Sequence, residues 1–194
     1  MKSINNYISE KLVINRNTKA SIGHTYFPKS TEELALNILD IFDENRNEDI
    51  IDLNCIDISN HNIESLSYLF NTLGLENIKK IDISNWDVSN IKYMTSMFKN
   101  CKKLESIGDI SNWNTKSLYG CAFMFNNCIN LRHIGDISNW NTSNLHNINY
   151  MFYGCEKLSD IGDLNKWDIS KIDKKYYMNL PFGGCKKTII PNWI

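Results

Sequence analysis

Cysteine is the residue type in this sequence with the widest chemistry, because a thiolate can attack a substrate, ligate a metal or form a disulfide. The chain of 194 residues contains six cysteines. Four of them follow a phenylalanine by three residues in a recurring motif: Cys101, Cys128, Cys155 and Cys185. An earlier copy of the motif has Leu73 at this place. A place that accepts leucine or cysteine is typical of an apolar core, so we expect structural thiols, with disulfides between stacked neighbours as the alternative.

The histidines form no recognisable catalytic or metal-binding pattern. They are His24, His61, His133 and His146. None of them has a Ser, Cys or Asp at a spacing that local structure would bring together, and no C-x-x-C pair or Cys/His set has zinc-site spacing. A glycine-rich phosphate loop is also missing from the sequence. We therefore predict a protein that is not an enzyme and that uses no cofactor and no metal.

A series of aspartates is the more informative feature. Its members are Asp57, Asp82, Asp109, Asp136 and Asp163. Asp82 lies between Ile81 and Ile83, so its side chain points outward if the two isoleucines point inward. Carboxylates stacked at strand spacing repel each other by roughly 1 kcal/mol per pair even in water. Turn amides, neighbouring lysines or a basic partner must offset this repulsion, and we take the five aspartates as candidate partner-binding residues, with local hydrogen bonding as the alternative.

The elements that position these residues repeat with a period of 27. Ile-Ser-Asn-Trp occurs three times at this interval, and a degenerate fourth copy follows. Its tryptophans are Trp86, Trp113, Trp140 and Trp167. The phenylalanines of the second motif, M-F-x-x-C, are Phe98, Phe125 and Phe152. We interpret both series as ladders of core side chains, and an exposed tryptophan platform for a ligand or glycan is the alternative for the first.

Within each unit the apolar period changes from two to three or four. Residues 81–83 alternate as a strand does, and the apolar residues of 91–104 follow at helical or turn-like spacing. This plan predicts an α/β solenoid, a leucine-rich-repeat-like stack of about five units with a short parallel sheet and a helical N-terminal cap. The predicted parts are an N-terminal cap over 1–49, the repeats over 50–187 and a C-terminal cap segment over 188–194.

The N-terminal cap has its own signals. Ser30 and Glu33 form an S-x-x-E capping box that predicts the start of a helix of about 12 residues. Residues 11–14 predict a short strand before it.

The repeated motifs, D-I-S-N-W followed by M-F-x-x-C-x-x-L, resemble those of the BspA-like leucine-rich-repeat family over residues 50–187. Members of that family are often bacterial surface proteins or lipoproteins. The resemblance implies a leucine-rich-repeat fold and a generic recognition scaffold, and it does not imply a particular partner.

Charge and composition limit the classes of partner. The formal net charge is −1, which does not favour nucleic acid, and no apolar run is long enough for a membrane span. The charge is uneven, because residues 31–64 contain ten acidic residues and one basic residue. We expect a non-catalytic module that binds another protein, and a partner with a basic surface would complement the acidic segment.

The start of the chain lacks a secretory signal, which predicts a cytoplasmic location. An intracellular interaction or inhibitor protein, such as a phage- or mobile-element-encoded blocker of a host nuclease complex, is the favoured role. The alternative is an adhesin of the cell surface whose leader is absent from this chain.

Overall fold

The computed structural model describes residues 26–45, 48, 50–74, 77–173 and 180–194. The strand predicted at residues 11–14 lies outside these ranges. Helix α1 covers Thr31–Glu44 and begins where the capping box predicts it. The Ser30 hydroxyl accepts the N–H of Glu33 at 3.2 Å, while the Glu33 carboxylate accepts the N–H of Lys29 at 2.8 Å. The carboxylate thus reaches back to the residue before the cap instead of to the cap itself.

Regular secondary structure after α1 is sparse. Strand β1 (Ile51–Asp52) pairs in parallel with β2 (Ile81–Asp82), and a single-turn helix, α2, covers Leu69–Thr72. Short 3₁₀ segments occupy Leu164–Lys166 and Lys187–Ile189. Among the residues that the structure describes, no helix has both the length and the apolar character needed to cross a bilayer.

Single parallel bridges continue the pairing from one unit to the next. One series joins Lys80 to Ser106 and Ser106 to His133, and a second joins Ser65, Tyr93, Gly120 and Asn147 in that order. The described chain therefore has a two-stranded sheet extended by isolated bridges, where the sequence predicts a strand in every unit. The interruption has a local cause, because Gly108, Gly135 and Gly162 have φ between +82° and +86°, and each stands directly before the aspartate of its unit.

The first unit has a different register from the predicted one. Asp52, and not Asp57, is the residue paired with Asp82. Ile56 takes the place that tryptophan has in later units, because its N–H donates to Leu53 as that of Trp86 donates to Ile83, both at 3.1 Å. The D-I-S-N sequence at residues 57–60 matches the later motif in sequence but does not occupy the equivalent structural position. Burial of Leu53 and Ile56 fixes the register, and His61, expected to replace the tryptophan at the edge of the core, is exposed.

Phenylalanines form a continuous column through the core. The rings of Phe70, Phe98, Phe125, Phe152 and Phe182 stack in this order with centroid separations of 4.8 to 5.5 Å. All five are buried. Because each ring contacts only the rings of adjacent units, every unit depends on its neighbours for burial of its apolar side.

Tryptophans form a second column, and each indole N–H donates to a main-chain oxygen of the preceding unit. The acceptor of Trp140 is Ile110, at 3.1 Å, and that of Trp167 is Ile137, at 2.9 Å. The last member is Trp193, whose indole donates to Leu164 at 3.1 Å. The segment 188–194, predicted only to close the last unit, thus carries a further repeat of the Asn-Trp pair. Its 26-residue distance from Trp167 was the available signal.

Candidate protein-binding surface

Each aspartate of the candidate series closes a local turn. The Oδ1 atom accepts the main-chain N–H of the residue two positions later, at 2.9 to 3.0 Å, in Asp57, Asp82, Asp109, Asp136 and Asp163. This is the geometry of an Asx turn. Asp82 is half-buried and the other four are exposed. One oxygen of each carboxylate is therefore used by the fold, which is the local alternative to a role in binding.

Three of these carboxylates have lowered pKa values. Partial burial opposes ionisation of Asp82, but hydrogen bonds from Ser84 and Asn54 outweigh it and lower the pKa. The main-chain N–H and hydroxyl of Ser59 lower the pKa of Asp57. The hydroxyl and N–H of Ser138 do the same for Asp136. The turns thus stabilise the charged form, and no basic partner is required to keep these groups ionised.

The tryptophan series is inside the protein. Trp86, Trp113, Trp140 and Trp167 expose only 3 to 4% of their surface. The indoles of Trp113, Trp140 and Trp167 stack in this order, with 6.1 and 6.3 Å between centroids. A platform for a ligand or glycan needs exposed ring faces, so the platform alternative is wrong for these four residues.

Four of the six thiols are buried in the core, where a substrate could not reach a nucleophile. None of the six cysteines forms a disulfide. The Sγ atoms of Cys128 and Cys155 each donate to the carbonyl oxygen of a phenylalanine in the preceding unit, at 3.0 Å. Burial raises the pKa of both thiols, and that of Cys121, above the ordinary range. Among the described residues, no three side chains of His, Cys, Asp or Glu are grouped as metal ligands would be.

Exposed aromatic side chains instead lie in a row across successive units. Tyr93 and Tyr119 expose 44 and 45% of their surface, and their ring centroids are 5.8 Å apart. His146 continues the row, stacked on Tyr119 at 4.2 Å with an interplanar angle of 16°. The Nδ1 atom of His146 lies 2.7 Å from the main-chain oxygen of Asn144, which fixes the ring.

A second row lies four to seven residues after Tyr119 and His146 in their units. Phe123 stacks on Tyr150 at 5.0 Å, and Tyr153 packs against Tyr150 at 5.6 Å with an edge-to-face angle of 73°. Because Tyr119 and Phe123 are four residues apart, the rows are separated by at most about 14 Å. We call the two rows together the aromatic face, defined by Tyr93, Tyr119, Phe123, His146, Tyr150 and Tyr153.

Sequence reasoning missed the aromatic face. The available signal was an aromatic residue directly after the apolar residue that starts the second half of two consecutive units, in Leu118-Tyr119 and Leu145-His146, and one position later in the unit before them, at Tyr93. Periodic patterns identify buried positions, whereas outward positions vary in type from unit to unit, as the alignment of Lys92 with Tyr119 and His146 shows.

Comparison with known proteins identifies a family whose function is unknown. No curated protein and no solved structure matches the chain. A family described as "Mycoplasma protein of unknown function, DUF285" matches residues 64–193, which include both rows of the aromatic face. Since this match covers more than half of the sequence, the chain belongs to the DUF285 family.

Proposed function

We propose that this protein is a non-catalytic binding module, a BspA-like leucine-rich-repeat solenoid that recognises another protein through its aromatic face. The observation that carries the proposal is the row of partly exposed rings on consecutive units, led by Tyr93 and Tyr119. The α/β-solenoid architecture is supported by parallel bridges that recur at 26 to 28 residues.

The aromatic face has the properties of a contact surface. Tyrosine is enriched at the energetic centres of interfaces, because it supplies apolar area and a hydroxyl on a side chain with few rotamers. Here the rings are already held by their neighbours, as in the stacks of Tyr119 with His146 and of Phe123 with Tyr150. Little side-chain entropy remains to be lost on association.

The rest of the chemistry favours binding over catalysis. The thiols of Cys128 and Cys155 are buried and their pKa values are raised, the opposite of what a nucleophile requires. His146, the histidine of the aromatic face, contacts a tyrosine ring and a main-chain oxygen. An intracellular interaction or inhibitor role remains our proposal for the cellular context, and an adhesin would use the same face.

The experiment selects displayed random peptides on the immobilised protein and measures the affinity of the enriched peptides for two variants. Tyr93→Ala/Tyr119→Ala removes the exposed rings. Asp82→Asn/Asp109→Asn/Asp136→Asn removes the charge of the aspartate series and keeps an oxygen for each turn, as Asn114 and Asn141 do in the native chain.

We expect the tyrosine variant to lose about tenfold or more in affinity, as hot-spot residues do, and the asparagine variant to stay within about twofold, as peripheral charges do. The reverse pattern would assign binding to the aspartate series and reject the aromatic face. Circular dichroism of both variants provides the check that the fold is intact.

A further inference from the structure

A row of lysines runs beside the aromatic face. The two residues after each core cysteine of the motif are Lys-Lys, Ile-Asn, Glu-Lys and Lys-Lys in successive units. The lysines of this row are Lys102, Lys103, Lys157, Lys186 and Lys187, and all are exposed. Glu156 is the one acidic residue among these eight positions. Lys157 follows Tyr153 of the aromatic face by four residues, which limits their separation to about 14 Å.

None of the carboxylates that the structure describes neutralises a charge of the lysine row. Lys103 Nζ donates to the Asn77 side-chain oxygen at 2.7 Å, and Lys157 Nζ donates to that of Asn130 at 2.5 Å. These acceptors are neutral amides. Among the residues that the structure describes, no carboxylate forms an ion pair with any of the five lysines, although Lys92, the residue before Tyr93, pairs with Glu64 at 2.7 Å.

A further cation links the lysine row to the aromatic face. Lys99 Nζ lies 4.9 Å from the centroid of the Phe123 ring, a cation–π distance. The positive charge thus begins at the rings themselves and continues outward. With successive units stacked at about 4.8 Å, the row from the first to the last lysine pair is about 15 Å long.

We propose that the segment bound by the aromatic face is acidic, with an apolar anchor on the rings and aspartate or glutamate side chains along the lysine row. The inference rests on the proposed function and specifies the chemistry of the partner. The charge of this acidic partner is opposite to that of the basic partner expected from the aspartate series. An extended acidic run of about five residues is long enough to follow the row.

The geometry of the rings favours an acidic protein segment over a nucleic acid. Single-stranded nucleic acids bind by stacking bases on free aromatic faces. Two pairs of rings in the aromatic face cover each other's planes, since Tyr119 stacks on His146 at 4.2 Å and Phe123 on Tyr150 at 5.0 Å. Ring edges and hydroxyls are left for a partner, and these suit side chains better than bases.

The test uses displayed random peptides as the probe, with oligothymidylate as a separate ligand. The protein carries either its native lysine row or Lys102→Glu/Lys103→Glu. The matched control is Lys29→Glu/Lys166→Glu, which makes the same change of charge at two exposed lysines outside the row. The enriched peptides are then synthesised with their acidic residues intact and with each replaced by its amide.

We expect the peptides selected on the native protein to be enriched in Asp and Glu. Their affinity should fall about tenfold on amide replacement or in the Lys102/Lys103 variant, fall about twofold or less in the control, and weaken with added salt. Oligothymidylate should bind more weakly than the acidic peptides.

Peptides that require Tyr93 and Tyr119 but show no acidic enrichment would overturn this inference and leave the proposed function standing. Peptides that bind independently of those tyrosines would overturn both. Tighter binding of oligothymidylate, sensitive to Lys102→Glu/Lys103→Glu, would assign the lysine row to a nucleic acid and reject the acidic protein segment.

Discussion

The main chain of Gly135 lies directly against the carboxylate of Asp109 in the preceding unit. A methyl group on Gly135 would occupy the position of Asp109 Oδ1, and the glycine has a φ of +86°. The same relationship joins Gly162 to Asp136. Two independent constraints, backbone conformation and close approach, therefore require glycine before the aspartate.

Gly135→Ala should destabilise the protein by about 2 to 3 kcal/mol, because it adds a steric collision to the cost of a positive φ. Urea unfolding measures the change. Gly74→Ala, with a φ of +69° and open space around the new methyl group, isolates the conformational cost. Gly120→Ala, whose new methyl group would meet a Tyr93 ring carbon at an ordinary contact distance of 3.8 Å, should be nearly neutral. Equal losses at Gly135 and Gly74 would show that the close approach contributes nothing.

The ionised carboxylate of Asp82 should add to the free energy of unfolding, and protonation at low pH should remove this contribution. Its pKa is lowered in the folded protein, so the contribution is complete above the unfolded-state pKa and is lost as the pH falls through the folded-state pKa. Asp82→Ala should cost about 1 kcal/mol at neutral pH, since the Ser84 N–H loses its acceptor.

Asp82→Asn is the matched variant, because it keeps an acceptor and cannot titrate. Urea unfolding between about pH 7 and pH 3 should show a smaller acid loss for this variant than for the native protein. An identical acid loss in the two proteins would contradict the assignment of the lowered pKa to Asp82.

Trp140→Phe should cost about 2 to 3 kcal/mol, because it leaves a cavity and a buried Ile110 oxygen without the indole donor. Trp193→Phe removes the corresponding bond at the last unit, where the side chain is only half-buried, and should cost about 1 kcal/mol. Chemical denaturation of both variants gives the comparison. A larger loss at Trp193 than at Trp140 would contradict an even stack of units.

The six thiols should react in an order set by burial. Titration of the unfolded protein should give six free thiols. In the native protein Cys55, which is half-buried, should react first. Cys185 is also partly exposed, but burial raises its pKa to about 12, so it should react much more slowly. Rapid labelling of Cys128 or Cys155 before Cys55 would show that the core opens easily.

How much of this could be predicted differs from one residue to another. The buried places of Phe98, Cys128 and Trp140 follow from a fixed period, since each must contact its counterpart one unit away. The start of α1 follows from Ser30 and Glu33 because a capping box is a local signal.

The register of the first unit and the aromatic face depend on side-chain packing, which the sequence motif alone does not define. The string that contains Asp57 copies the later motif, yet burial of Ile56 shifts the register of the first unit. The exposure of Tyr93 and Tyr119 has no periodic requirement behind it, because an outward side chain need not match its neighbour in the next unit. The aromatic face could therefore be identified only from the positions of the rings in the structure.

The indole bond from each tryptophan to the preceding unit has an evolutionary consequence. Every unit that contains the tryptophan supplies one indole donor to an acceptor in the unit before it, as Trp140 and Trp167 do with Ile110 and Ile137. An in-frame duplication or deletion of one 27-residue unit would leave all remaining donors and acceptors matched. A gene of this kind can change the length of its recognition surface in whole steps by recombination, without a compensating mutation in the core.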